Sequence, residues 1–261
     1  MIVSMEKWAL VTGASSGIGY AVARRLADRG YNIIMVSNTA SKLDAARERL
    51  EGCYRDRLFE SVCMDLSVPG AAQKLFSLVS ERGIVPDVLV NDAGMFIYDE
   101  VLSSPAVELE KIINLHVLTV TMMCRLFGEA MARKGSGRIL NLSSYSIYMP
   151  YPGLAAYCAT KAYIRKFSKA FGKEMRPKGV TVTVAAPAGV DTDLMGLPTN
   201  IRTLARKTGF LMRPSTAARR LVRATLNGRR YKVPGVYNYL FVPLLPLFSP
   251  ISSWLLKRKN S

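Results

Sequence analysis

The sequence predicts an α/β domain in which a doubly wound parallel sheet carries helices on both faces. Three observations predict it. Short apolar runs alternate with longer helical patterns from the start of the chain, the rhythm of repeated βαβ units. These runs are rich in Val, Ile and Leu without clean polar alternation, as strands covered on both faces should be. At 261 residues, 49% hydrophobic and 21% charged, the chain is long enough to bury one full core and too apolar to be disordered.

The elements follow in order. Strands are expected over Lys7–Thr12, Asn32–Ser37, Leu58–Met64, Val88–Asn91, Gly137–Leu142 and Val180–Ala186, with a short last strand near Tyr231–Val233. Helices are expected near 17–29, 40–50, 67–82, 106–132, 154–175 and Ser215–Asn227. With no internal repeat and no low-complexity linker, residues 1–236 read as one catalytic domain and 237–261 as a tail. Met1–Lys7 is too short and too mixed for a signal peptide.

Four scattered cysteines form no CxxC pair, and His116 is the only histidine, which speaks against a disulfide framework, a zinc site and a Ser-His-Asp hydrolase. Reduced cysteines fit a cytoplasmic setting. No metal is expected.

The net charge of +17 is one-sided. Residues 194–261 hold thirteen Lys and Arg and no acid, which leaves only +4 for residues 1–193. That asymmetry points to an anionic partner: a membrane surface, nucleic acid or an acidic carrier protein. Nucleic acid is not expected, because none of its usual binding motifs is present. Tyr237–Leu256 is almost wholly apolar or aromatic, but Pro243, Pro246 and Pro250 interrupt it and Lys257–Lys259 close it. Three prolines oppose a spanning helix. The tail reads either as a broken interfacial segment, placing the protein peripherally on an anionic membrane, or as a cover over the substrate pocket or a subunit interface.

The first strand runs into Thr12-Gly13-Ala14-Ser15-Ser16-Gly17-Ile18-Gly19 and then into a helical segment. A strand, a Gly-rich turn and a helix N-terminus present backbone N–H groups to a pyrophosphate, and glycines stand where a Cβ would block its approach. The sequence TGxxxGxG resembles the cofactor signature of the short-chain dehydrogenase/reductase family, a single-domain Rossmann-type fold, and the resemblance continues along nearly the whole chain. It implies that Gly13, Ser15, Ser16, Gly17, Ile18 and Gly19 surround the diphosphate of a nicotinamide dinucleotide. Asp65 and Leu66 resemble the pair at the adenine. Asn91-Asp92-Ala93-Gly94 is similar to the family's NNAG, so Asn91, Ala93 and Gly94 are expected at the cofactor, with Asp92 in place of the second Asn. Pro187-Ala188-Gly189-Val190-Asp191-Thr192 is similar to PGxxxT, which implies that Pro187, Gly189, Val190 and Thr192 hold the nicotinamide, with Ala188 replacing a Gly. At the end of the second strand Ser37 and Asn38 supply no acid for a ribose 2′-hydroxyl, and Lys42 is the nearest cation, so NADP(H) is expected over NAD(H).

Tyr157 and Lys161 stand four apart in a predicted helix, one turn apart on one face. A free tyrosine titrates near 10, and a neighbouring ammonium favours the phenolate, so the spacing suits a tuned acid/base. Ser144 lies thirteen residues before Tyr157, the family's separation, and Asn114 lies on the preceding long helix. The resemblance implies a tetrad of Asn114, Ser144, Tyr157 and Lys161 acting on a carbonyl or its alcohol. Tyr157 exchanges the proton, Ser144 steadies the oxygen, Lys161 lowers the tyrosine pKa and holds the nicotinamide ribose, and Asn114 holds a water. His116 is expected to be a packing or surface residue.

Residues 193–213 are expected to form the substrate lid, with Leu194, Met195, Leu197, Leu204, Phe210, Leu211 and Met212 among basic residues. Tyr145, Tyr148 and Met149 read equally as core or pocket. The apolar lid and tail imply a steroid or keto-lipid substrate, with a 3-oxoacyl thioester on an acyl carrier or CoA as the alternative and a non-catalytic nucleotide-sensing scaffold as a remote one. A homodimer or homotetramer is expected through the two long helices.

Overall fold

Ala9 and Val11 pack on one face of the sheet and Leu10 on the other, and all three are fully buried. This is the physical basis of the missing polar alternation: in a strand whose two faces are both covered, each side chain needs to be apolar. The structure, a computed structural model, describes residues 6–148, 151–196, 198–209 and 211–232.

Seven parallel strands form one sheet in the order β3-β2-β1-β4-β5-β6-β7. They are β1 (Trp8–Thr12), β2 (Asn32–Ser37), β3 (Phe59–Cys63), β4 (Val88–Asn91), β5 (Gly137–Leu142), β6 (Val180–Ala185) and β7 (Tyr231–Lys232). Helices α3 (Ala71–Ser80), α5 (Val120–Lys134) and α6 (Ala155–Met175) cover one face around Phe127, Met123, Leu75 and Ile164. Helices α1 (Gly17–Ala27), α2 (Ala40–Glu51) and α8 (Pro214–Leu226) cover the other around Val22, Leu26, Leu43 and Leu221. Each such fully buried Leu or Ile contributes about 1.5–3 kcal/mol. The sheet order reverses between β1 and β4, which opens a crevice at their C-terminal ends, the place where open α/β sheets bind ligands.

The predicted elements recur with local differences. The first helix stops at Ala27, because the chain turns at Gly30 with a φ of +85°. The third begins only at Ala71, because the Asp65 carboxylate takes the Ser67 N–H and hydroxyl at 2.9 and 2.7 Å and holds the preceding residues in a turn. The expected single helix over 106–132 is instead α4 (Ala106–Ile113), a π-helical segment over Asn114–Thr119, and α5. The segment expected to form a lid contains a helix not foreseen, α7 (Thr199–Lys207). Met149, Leu197, Phe210, Val233 and the whole tail from 237 onward lie outside the described residues. Among the described residues no helix is long and apolar enough to cross a membrane.

Candidate active site

A cavity of about 580 Å³ occupies the crevice. Its inner end is built on the turn between β1 and α1. Gly13 and Gly17 adopt φ values of +69° and +57°, and a Cβ on Gly19 would stand 2.2 Å from the Gly13 carbonyl oxygen. Only glycine permits this packing. Ser16 precedes α1 without a side-chain cap, which leaves the helix N-terminus facing the cavity. Thr12 ties this turn to β4: its hydroxyl accepts the N–H groups of Asp92 and Ala93, both at 3.0 Å, and donates to the Val90 carbonyl at 3.2 Å. A glycine cradle at an uncapped helix N-terminus fits a diphosphate.

Gly13, Ser15, Ser16, Gly17 and Ile18 line the cavity, and so do Ser37 and Asn38 at the end of β2. The hydroxyls of Ser15 and Ser37 lie 2.9 Å apart. Asp65 and Leu66 follow β3 on the same wall, and Thr119 secures them by donating to the Leu66 carbonyl at 2.7 Å. Ala93, Gly94, Pro187, Gly189, Val190 and Thr192, also expected from the sequence, line the cavity as well. Ala188 needs no special backbone, since no non-glycine residue has a positive φ among the described residues. Three predicted residues stand behind the wall. Gly19 packs against Gly13, Asn91 donates to Asn141 at 2.8 Å inside the sheet, and Asn114 opens the π-helical segment.

Ser144, Tyr157 and Lys161 converge at the outer part of the cavity. The Ser144 hydroxyl lies close enough to the Tyr157 hydroxyl to favour its ionised form. Lys161 Nζ lies 5.8 Å from the Tyr157 ring centroid and donates to the Leu142 carbonyl at 3.1 Å. Ser143 locks this turn of α6 by donating to the Lys161 carbonyl at 2.7 Å. Phe96 stands edge-on to Tyr157 with centroids 4.9 Å apart.

Electrostatics corrects one expectation. Burial pushes Tyr157 up to about 12, against the pull of the Ser144 hydroxyl, so desolvation outweighs the depression expected from the ammonium. Burial also lowers Lys161 to about 8, while the negative charge of Asp92 holds it up. Asp92 itself rises to about 7 because protein surrounds it, although Lys161 and the Gly19 N–H favour its charged form.

Sequence reasoning missed His116, Asp92 and Phe96 as parts of the site. Of the two expected places, packing or surface, His116 takes the first: it is fully buried, and burial next to Lys161 holds its pKa well below the ordinary value. Its signal was faint: it lies two residues after Asn114, in a segment where the helix widens and its side chain is buried.

Of the segment expected to form a lid, Asp193 and Leu194 line the cavity. Val190 pairs with Met212 in a parallel bridge, and Asp191 accepts Arg202 at 2.7 Å and Arg206 at 3.3 Å from α7. Arg202 also reaches Asp193.

Comparisons with known proteins agree with this geometry. A very-long-chain 3-oxoacyl-CoA reductase of Danio rerio is 35% identical over 195 residues, 73% of this chain and 62% of that protein. The 17-beta-hydroxysteroid dehydrogenase type 3 of Mus musculus is 32% identical over 196 residues, 73% of this chain and 62% of that protein. The matched part thus spans about three fifths of these relatives. A short-chain dehydrogenase of Sphingobium yanoikuyae in complex with NADPH superimposes with a TM-score of 0.78 at 25% identity, covering 93% of this chain and 95% of that one. The sequence model of the family described as short chain dehydrogenase matches residues 7–199, and the chain belongs to that family.

Proposed function

We propose that this protein is a nicotinamide-dependent oxidoreductase that reduces the carbonyl of an apolar substrate, a steroid or keto-lipid. The observation that carries the reading is the convergence of Ser144, Tyr157 and Lys161 on the cavity that also contains the glycine turn. A reduced nicotinamide dinucleotide held on that turn would supply the hydride.

The chain's own residues handle the proton. As hydride reaches the carbonyl carbon, negative charge grows on the oxygen, and the Tyr157 hydroxyl protonates it as general acid. Ser144 hydrogen-bonds the same oxygen and orients it. A phenol near 12 is fully protonated at neutral pH, which favours reduction over oxidation. Lys161, cationic near neutrality, stabilises the phenolate left behind and binds the nicotinamide ribose. Asn114 acts from behind the wall through a water that resupplies the proton.

Met95, Phe96, Leu115, Tyr145 and Leu154 line the cavity beside Tyr157, and Leu194 stands at its rim, 47% exposed. This surface favours a bulky apolar ketone. A 3-oxoacyl thioester is the second reading, favoured by the relatives of that activity. The absence of an acid at the end of β2, where Ser37, Asn38 and Lys42 line the cavity, supports NADP(H) over NAD(H). The acid-free region from 194 onward supports peripheral attachment to an anionic membrane from the cytoplasmic side, with residues 1–236 as the catalytic unit and 193–213 as its lid. Homo-oligomerisation through the α5 and α6 faces completes the reading.

The test is turnover of NADPH with steroid ketones, ketosphinganine-like lipids and 3-oxoacyl thioesters, followed by absorbance of the reduced nicotinamide. Activity on a ketone or thioester is expected, and Tyr157→Phe should lower kcat by about 10²–10⁴-fold while nucleotide binding persists. Retention of most activity by that variant overturns the mechanism.

A further inference from the structure

Asp92 is where this chain departs from the NNAG sequence it resembles, and the structure places that departure at the cavity floor. Its carboxylate lies close enough to the Gly19 N–H, in the first turn of α1, for that group to favour its charged form. Its Oδ2 would lie 3.2 Å from a Cβ on Gly13 and 2.8 Å from one on Gly19, so it sits against the underside of the glycine turn. The side chain still faces the cavity, which is its remaining contact with solvent.

The surroundings offer one partial compensation for a negative charge there. The glycine turn brings no ionisable side chain. Helix α6 brings Lys161 and Tyr157, and Lys161 makes no ion pair with Asp92. The π-helical segment brings His116, held neutral. Asp191 and Asp193, beyond Thr192, are engaged by Arg202 and Arg206. Lys42 and Asp65 stand on the far wall. A diphosphate on the glycine turn would bring further negative charge above Asp92 and cover its opening to water. Both effects oppose a carboxylate and favour the neutral acid, which can still hydrogen-bond as an asparagine would.

We propose that Asp92 makes dinucleotide binding proton-coupled: the nucleotide is held with the Asp92 carboxyl protonated, and the proton comes from solvent. This rests on the cofactor assigned under the proposed function. Affinity then depends on pH through a residue that does not touch the reacting carbonyl. With the free carboxyl raised to about 7, binding takes up more proton at Asp92 at pH 8 than at pH 6.

The test uses NADH, which lacks a titrating 2′-phosphate, and difference infrared spectroscopy of the full chain with and without nucleotide at pH 8. A protonated-carboxyl stretch should appear on binding in the wild type and be missing in Asp92→Asn. That readout excludes Lys161, which also titrates near neutrality. In parallel, calorimetric titration should show wild-type affinity falling up to about tenfold per pH unit above 7, more steeply than in Asp92→Asn. Without nucleotide, Asp92→Asn should melt higher than wild type at pH 8, and the difference should shrink toward pH 5, since a raised acid loses stability as pH rises through its folded value. Binding without the carboxyl band, or with the same pH dependence in both proteins, overturns this proposal and leaves the cofactor assignment standing. No binding of either NADH or NADPH at any pH overturns both.

Discussion

His116 Nδ1 lies 3.0 Å from Thr160 Oγ1, in the residue before Lys161. His116 Nε2 accepts the Met95 N–H at 3.2 Å, so the proton of the neutral ring is on Nδ1 and Thr160 accepts it. Thr160 in turn donates to the Tyr157 carbonyl at 2.9 Å. One imidazole therefore ties the loop after β4 to the turn of α6 that carries Tyr157 and Lys161.

His116→Leu should lose this link and strand the Met95 N–H, at a cost of about 1–3 kcal/mol in urea unfolding. The wild type should also lose stability below about pH 6.5, because a base whose folded pKa is depressed contributes stability above its unfolded value that is lost as pH falls toward the folded one. The variant should show a shallower acid-side slope. An unchanged slope would mean that another group governs it.

Gly19→Ala tests the glycine turn. The added Cβ meets the Gly13 carbonyl at 2.2 Å, backbone that cannot swing away, so the turn has to shift. A loss of about 1–3 kcal/mol in stability is expected from overpacking, together with loss of nucleotide binding by calorimetry. Normal binding by this variant would remove the turn from the site.

Ser37→Asp places an acid beside Ser15, whose hydroxyl now lies 2.9 Å from that of Ser37. The carboxylate would favour a ribose 2′-hydroxyl and repel a 2′-phosphate. The ratio of Kd for NADPH to Kd for NADH should rise by about tenfold or more, equivalent to about 1.4 kcal/mol. Lys42→Ala should shift it the same way, by less.

Asp191→Asn removes the charge that holds both Arg202 and Arg206 of α7. KM for a bulky ketone should rise severalfold with a smaller change in kcat, and limited proteolysis should cut faster within 198–209. Equal losses in kcat and kcat/KM would instead place Asp191 in the chemical step.

Much of this was legible in the chain. Period and composition located every strand, and TGxxxGxG and the four-residue step from Tyr157 to Lys161 marked the cavity, because these features depend only on local geometry. Less local features escaped. The widening at Asn114–Thr119 carries no turn residue to announce it, and with it went the inward turn of His116. Helix α7 is held in part by Arg202 and Arg206 on Asp191, a contact that spacing along the chain does not reveal.

By itself the sequence determined the layered α/β architecture, the glycine turn and the placement of a phenol and an ammonium on one helical face, since each follows from short-range sterics and hydrophobic period. Only the tertiary structure decided the charge states. Tyr157 is pushed up to about 12, Lys161 down to about 8 and Asp92 up to about 7 because residues distant in sequence pack around them, and desolvation depends on what surrounds a group in space rather than along the chain.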